Sequence, residues 1–303
     1  MLGLDPRLES MPQYLVQGMQ KGDKSFQKAS EAVLEFNTHI IRSCAPYVVA
    51  IKPQIAFYEC LGWEGLRVLA KTIELGREQG LLVVIDAKRN DIGHTAQAYA
   101  EAFLCSGQED TGILPAFDAD ALTVNPYLGF DGIQPFVHAA QKRGKGLFVL
   151  VRTSNPSAQE IQDLQTLDGP VYSVVGNLVH TWGKESLGQK GYSLVNAVVG
   201  ATYPDEARTL RKIMPHAFFL VPGFGAQGGT TADVLECFHP DGLGAVINAS
   251  RSILYAYTQE LYKRQYSEHK YAQAAADAAR IMRDEINEAV AQRYKLAWEQ
   301  QDS

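Results

Sequence analysis

The chain has 303 residues, 46% hydrophobic and 20% charged, with a formal net charge of −6. That balance is ordinary for a globular protein, and its acidic excess argues against nucleic acid or an anionic membrane as bulk partners while leaving room for a local anion pocket. No apolar run approaches the roughly 20 residues of a membrane span, and no signal peptide opens the chain.

In chain order, Met1-Leu2-Gly3-Leu4-Asp5 reads as the last few residues of a strand with nothing before it, a first strand that looks truncated. Phe26, Ala29, Val33, Phe36 and Ile40, spaced by three and four, predict a helix over 25–43. Apolar, β-branched runs then recur at 47–52, 81–88, 120–125, 146–152, 192–200, 217–223 and 244–250, which with the stub at 2–4 makes eight. Helical patterns fall between them, near 64–79, 93–106, 131–142, 170–187, 205–213 and 231–238, and a long one spans about 265–297. Continuous apolar strands alternating with helices imply parallel strands covered on both faces. Eight such units fit an α/β (β/α)8 TIM barrel in one domain over 1–303, with a doubly wound open sheet as the alternative. The polar stretch 153–170 reads as a loop or lid.

The third run, LLVVIDAKRNDI, ends in charge. Residues two apart on a strand share a face, so Val84, Asp86 and Lys88 should point the same way. A structural ion pair would explain an isolated Asp-x-Lys, because buried charge is costly unless paired. Asp91 adds a second carboxylate just past the strand, more charge than such a pair needs.

In a barrel, chemistry collects at the C-terminal strand ends. Those ends carry Asp5, Lys52, Asp86 with Lys88, Asn125, Arg152 to Ser154, Gly200, Pro222 to Gly229, and Ser250-Arg251. The loops after strands seven and eight often hold phosphate. Gly223, Gly225 and Gly228 fit that use or a plain strand-to-helix turn, and Ser250-Arg251 one unit later favours phosphate. Arg251 at a helix start is unfavourable for the helix dipole unless an anion binds there. The four cysteines (Cys44, Cys60, Cys105, Cys237) are scattered and read as reduced thiols of a cytoplasmic protein, and the seven histidines show no metal-ligand spacing.

The segments Gly3-Leu4-Asp5-Pro6, Ile51-Lys52-Pro53, Asp86-x-Lys88-x-x-Asp91-Ile92, Thr123-Val124-Asn125-Pro126-Tyr127, Arg152-Thr153-Ser154-Asn155-Pro156, Val221-Pro222-Gly223-x-Gly225-Ala226-Gln227-Gly228 and Ser250-Arg251 occur in this order along nearly the whole chain. Together they resemble the orotidine 5'-phosphate decarboxylases of the longer bacterial form. The resemblance implies a (β/α)8 barrel that removes CO2 from orotidine monophosphate to give uridine monophosphate, with no cofactor and no metal, in a homodimer with shared active sites. It implies that Lys52, Asp86, Lys88 and Asp91 form an alternating charged array, with Lys88 delivering a proton to C6. Asp91 and Thr95 would reach the partner's site, and Asp5 and Lys52 would contact ribose hydroxyls. Ser154 would read the pyrimidine edge. Gln227 and Arg251 would hold the phosphate, with Pro222, Gly225 and Ser250 around it. A related sugar-phosphate enzyme using Mg2+ and a non-catalytic nucleotide-binding dimer are the other readings.

Overall fold

The apolar runs become strands, each covered from both sides. A computed structural model describes residues 1–20, 25–105, 116–225 and 228–295, and the chain divides into two compact units.

The first unit holds Met1–Gly146 and Ala249–Arg280. Its strands are β1 (Leu2–Leu4), β2 (Ala50–Pro53), β3 (Leu82–Arg89) and β4 (Ala121–Val124), paired in that order. All the pairings are parallel, with Leu2 opposite Ile51, Ala50 opposite Leu82 and Val84 opposite Ala121. The stub at the N-terminus is therefore a paired strand, and Leu2 also bridges Ala249. Every residue of β1, β2 and β4 is buried, as parallel strands require. Helices Phe26–Cys44, Gly62–Glu78, Gly93–Leu104 and Phe130–Arg143 match the expected ones within two residues, except that residue 106 lies outside the described residues. The first starts where the Ser25 hydroxyl accepts from the Lys28 amide. Gly76 lets Gly62–Glu78 pack closely on β2, since a Cβ there would lie 2.4 Å from Ile51 Cδ1.

The second unit holds the described residues of Leu147–Asn248 and those from Ile281 to Lys295. Its strands are β5 (Gly146–Arg152, of which all but Gly146 belong to this unit), β6 (Val195–Val199), β7 (Phe219–Val221) and β8 (Ala245–Ile247), again paired in order and parallel. The stretch 153–170 is a folded excursion rather than a bare loop. It contains a helical turn at Gln159–Gln162 and a short antiparallel hairpin between Gln165–Thr166 and Gly169–Pro170.

Some boundaries differ from expectation. The helix expected at 231–238 is only Thr231–Val234, started by a Thr230–Asp233 capping box and tightened to a 3-10 turn at Leu235–Cys237. The last helix is Tyr271–Tyr294, preceded by a separate turn, and 296–297 lie outside the described residues. Helices Gln13–Gln20, Ala56–Glu59 and Glu260–Lys263 are not legible in the sequence, being too short for a clear period. No helix among the described residues is long and apolar enough to cross a membrane.

Candidate active site

The charged cluster is built where β3 leaves its register with β4. Ile85 pairs with Leu122 and Arg89 with Val124, so Asp86, Ala87 and Lys88 all lie opposite Thr123 alone. The excess is a bulge, and its marker is Lys88, whose φ of 48° lies in the left-handed region. A non-glycine residue there costs roughly 1–2 kcal/mol, so the surroundings must hold it. Simple alternation along the strand therefore fails at Lys88. The expected meeting with Asp86 still occurs, through the bulge rather than the pleat.

Asp86 is the hub. Its Oδ2 accepts from Lys52 Nζ at 2.6 Å, and its Oδ1 accepts from Lys88 Nζ at 2.6 Å and from the Thr123 hydroxyl at 2.9 Å. Lys52 is buried, whereas the Lys88 side chain is 45% exposed. Burial pushes the Asp86 carboxyl up, but the ammonium groups of Lys52 and Lys88 outweigh it and hold it well below the usual carboxylate range. Burial likewise lowers Lys52, and Asp86 and then Asp5 overcome it, so its ammonium form is favoured. The outcome is a fixed ion triad with one ammonium facing outward.

The other expected members of the first unit lie as follows. Asp5 has a buried carboxylate oxygen, Oδ1, without a hydrogen-bond partner among the described residues. Asp91 does not join the triad: its Oδ1 accepts from the Ile92 amide at 2.8 Å, and it forms no ion pair among the described residues. Thr95 is exposed on the first turn of Gly93–Leu104. Exposed Ile92, Tyr127, Leu128 and Phe130 accompany them in sequence. Ser250 precedes the short helix Arg251–Leu254, and the exposed Arg251 side chain makes no ion pair among the described residues.

In the second unit, Ser154 follows β5. Gly200 at the end of β6 is required beside it, because a Cβ there would come within 2.9 Å of the Ser154 backbone. Pro222 follows β7 and is half-buried. Gly223, Gly225 and Gly228 all have positive φ, which explains the glycines. The amides of Gly225, Gly228 and Gly229 donate to carbonyls within the loop, so these three act as a turn. Gln227, with Ala226, lies outside the described residues.

Two residues without an assigned role stand out. Thr123 anchors the bulge. Arg152, fully buried at the end of β5, pairs with Asp163 at 2.8 Å and stacks 3.7 Å above the Tyr203 ring, fastening the 153–170 excursion. A cation ending an apolar strand was the visible signal for Arg152; its acidic partner lies eleven residues on, with nothing to mark it.

Comparison with known proteins adds a separate line. Residues 4–266 match the family model described as orotidine 5'-phosphate decarboxylase / HUMPS family. An orotidine 5'-phosphate decarboxylase of Rhodopirellula baltica is 44% identical over 285 residues, 94% of this chain and 93% of the relative. Among solved structures, a Toxoplasma gondii protein described as an orotidine-monophosphate decarboxylase superposes with a TM-score of 0.77 at 32% identity, covering 97% of this chain and 93% of that one. The Leishmania donovani OMP decarboxylase superposes with a TM-score of 0.71 at 30% identity, covering 95% and 92%. These similarities agree with the eight parallel strands and the (β/α)8 class.

Proposed function

This chain belongs to the orotidine 5'-phosphate decarboxylase / HUMPS family and converts orotidine 5'-monophosphate to uridine 5'-monophosphate in pyrimidine biosynthesis; from that premise we propose that Lys52, Asp86 and Lys88 are its reaction centre. The observation that carries this reading is the Lys88 ammonium held 2.6 Å from an Asp86 carboxylate that Lys52 pairs from the other side.

Loss of CO2 leaves an electron pair in an in-plane orbital at C6, which the ring π system does not delocalise. With no electron sink, stabilisation must come from charge already in place. Lys88 faces that pair as a cation and then transfers a proton from Nζ to C6. Asp86 keeps Lys88 oriented and lies against the departing carboxylate, and that repulsion is relieved as CO2 leaves. No step requires a metal or a cofactor.

The remaining residues bind. The Asp5 oxygen, which has no hydrogen-bond partner among the described residues, suits a ribose hydroxyl, which would donate to it beside Lys52. Ser154 reads the pyrimidine edge. Arg251 and Gln227 hold the phosphate, with Pro222, Gly225 and Ser250 framing it. Asp91, whose carboxylate has no ionic partner within the described chain, and Thr95 serve the site of a second copy. The exposed Ile92, Tyr127, Leu128 and Phe130 supply apolar surface for that homodimer. The family match runs through both units, which supports one domain over 1–303. Four free cysteines suit a reducing, cytoplasmic setting.

Arg251→Ala tests the phosphate assignment. A charge-assisted contact worth about 2–3 kcal/mol is lost, so kcat/KM for the phosphorylated substrate should fall about 100-fold. Turnover of orotidine, which lacks the phosphate, should change by less than about threefold. Equal losses on both substrates would remove Arg251 from the phosphate site.

A further inference from the structure

We propose that Thr123 is the positioning residue of the reaction centre: its hydroxyl holds the bulge that brings Lys88 to Asp86 and fixes the Asp86 carboxylate against both lysines. The inference rests on the reading of Lys88 as proton donor.

A hydroxyl has one proton and two lone pairs. The Ala87 and Lys88 amides donate to Thr123 Oγ1 at 3.0 and 2.9 Å, and these two contacts occupy the lone pairs. The single proton is then directed to Asp86 Oδ1, 2.9 Å away. All three contacts are made by one atom of a fully buried residue, so its hydroxyl has one orientation. The two amides are those that the register shift deprives of ladder partners, since β4 offers only Thr123 opposite three residues of β3. One of them belongs to Lys88, whose left-handed backbone is held by that contact. Thr123 thus couples the backbone that aims the ammonium to the carboxylate that receives it. It touches no reacting atom in this role.

Valine keeps the shape and the β-branch but neither accepts nor donates. The buried Ala87 amide, the part-buried Lys88 amide and one carboxylate oxygen would lose a partner, and the bulge would relax toward ordinary strand geometry. Serine keeps the hydroxyl and loses only a methyl. The experiment measures kcat and KM for orotidine monophosphate, and Kd for uridine monophosphate, in Thr123→Val, Thr123→Ser and Lys88→Ala. Misplacing a reacting group by about 1 Å costs on the order of 100-fold, so Thr123→Val should lose about that in kcat, with Kd within about threefold. Thr123→Ser should stay within about fivefold of wild type.

A packing role predicts the reverse order, because valine fills the space and serine leaves a void. Serine worse than valine, or a Thr123→Val enzyme of normal kcat, would overturn the proposal. If Thr123→Val does not fold, Thr123→Cys replaces it. A thiol is a weak donor and acceptor in a side chain as short as serine's, so it should fall about tenfold or more below Thr123→Ser. Equal activity of the two would overturn the proposal. Lys88→Ala separates the layers: turnover retained there refutes the reading of Lys88 itself. Turnover lost there but normal in Thr123→Val refutes only the role of Thr123.

Discussion

Lys88→Ala should lower decarboxylation by about 10^4-fold or more while leaving nucleotide binding almost intact. Two contributions disappear together: a positioned proton donor, worth about 10^2–10^4, and a fixed charge at the developing electron pair, worth about 10^2–10^3. Both act in the transition state, so the loss belongs in kcat rather than in the affinity for product. The fold should survive, because Asp86 keeps Lys52 and Thr123 as partners and the Lys88 side chain is half-exposed. Uridine monophosphate at about 100 times its Kd should still stabilise the variant by about 2.7 kcal/mol, read as a shift in thermal unfolding. A variant that turns over near the wild-type rate would end the proton-donor assignment. A variant that fails to fold would favour a purely structural ion pair.

Mixing Lys88→Ala with Asp91→Ala should restore activity that neither variant has alone. If Asp91 serves the partner's site, each pocket takes Lys88 from one chain and Asp91 from the other. In a mixed dimer one pocket collects both defects and the other collects none. Two-fold symmetry makes each contact occur twice, so random pairing gives roughly half mixed dimers with one good site each, and activity near a quarter of wild type. Co-expression with two different tags shows whether mixed dimers form. Mixed dimers whose activity equals the sum of the parents would place Asp91 in its own chain's site. The isolation of its carboxylate from the Lys52–Asp86–Lys88 triad motivates the test.

The strand rhythm and the strand-end residues were legible because parallel, doubly covered strands must be apolar and because charge after such a run is conspicuous. What was not legible follows from tertiary geometry. Asp86 and Lys88 were expected to meet by alternation, yet they meet across a bulge, and a left-handed lysine leaves no mark in a sequence. Thr123 reads as one more β-branched residue in a strand; its role depends on the register of β4 against β3. The glycines after β7, followed by Ser250-Arg251 one unit on, favour an anion cradle over a plain turn by sequence, yet three of the loop's amides are used internally. Their φ values, which decide why glycine is needed there, depend on loop closure rather than composition. Stretch 153–170 reads as a loop or lid because nothing in the sequence marks Asp163, eleven residues on, as the partner that anchors it to Arg152.

The decarboxylation is proposed to be performed by a preorganised triad of side chains, Lys52, Asp86 and Lys88, without a metal. Turnover of orotidine monophosphate in excess chelator, followed by pyrimidine absorbance, tests it most directly. The wild-type protein should keep an unchanged rate, and Lys88→Ala should give no detectable change in absorbance. A wild-type rate abolished by chelator and restored by Mg2+ would contradict it.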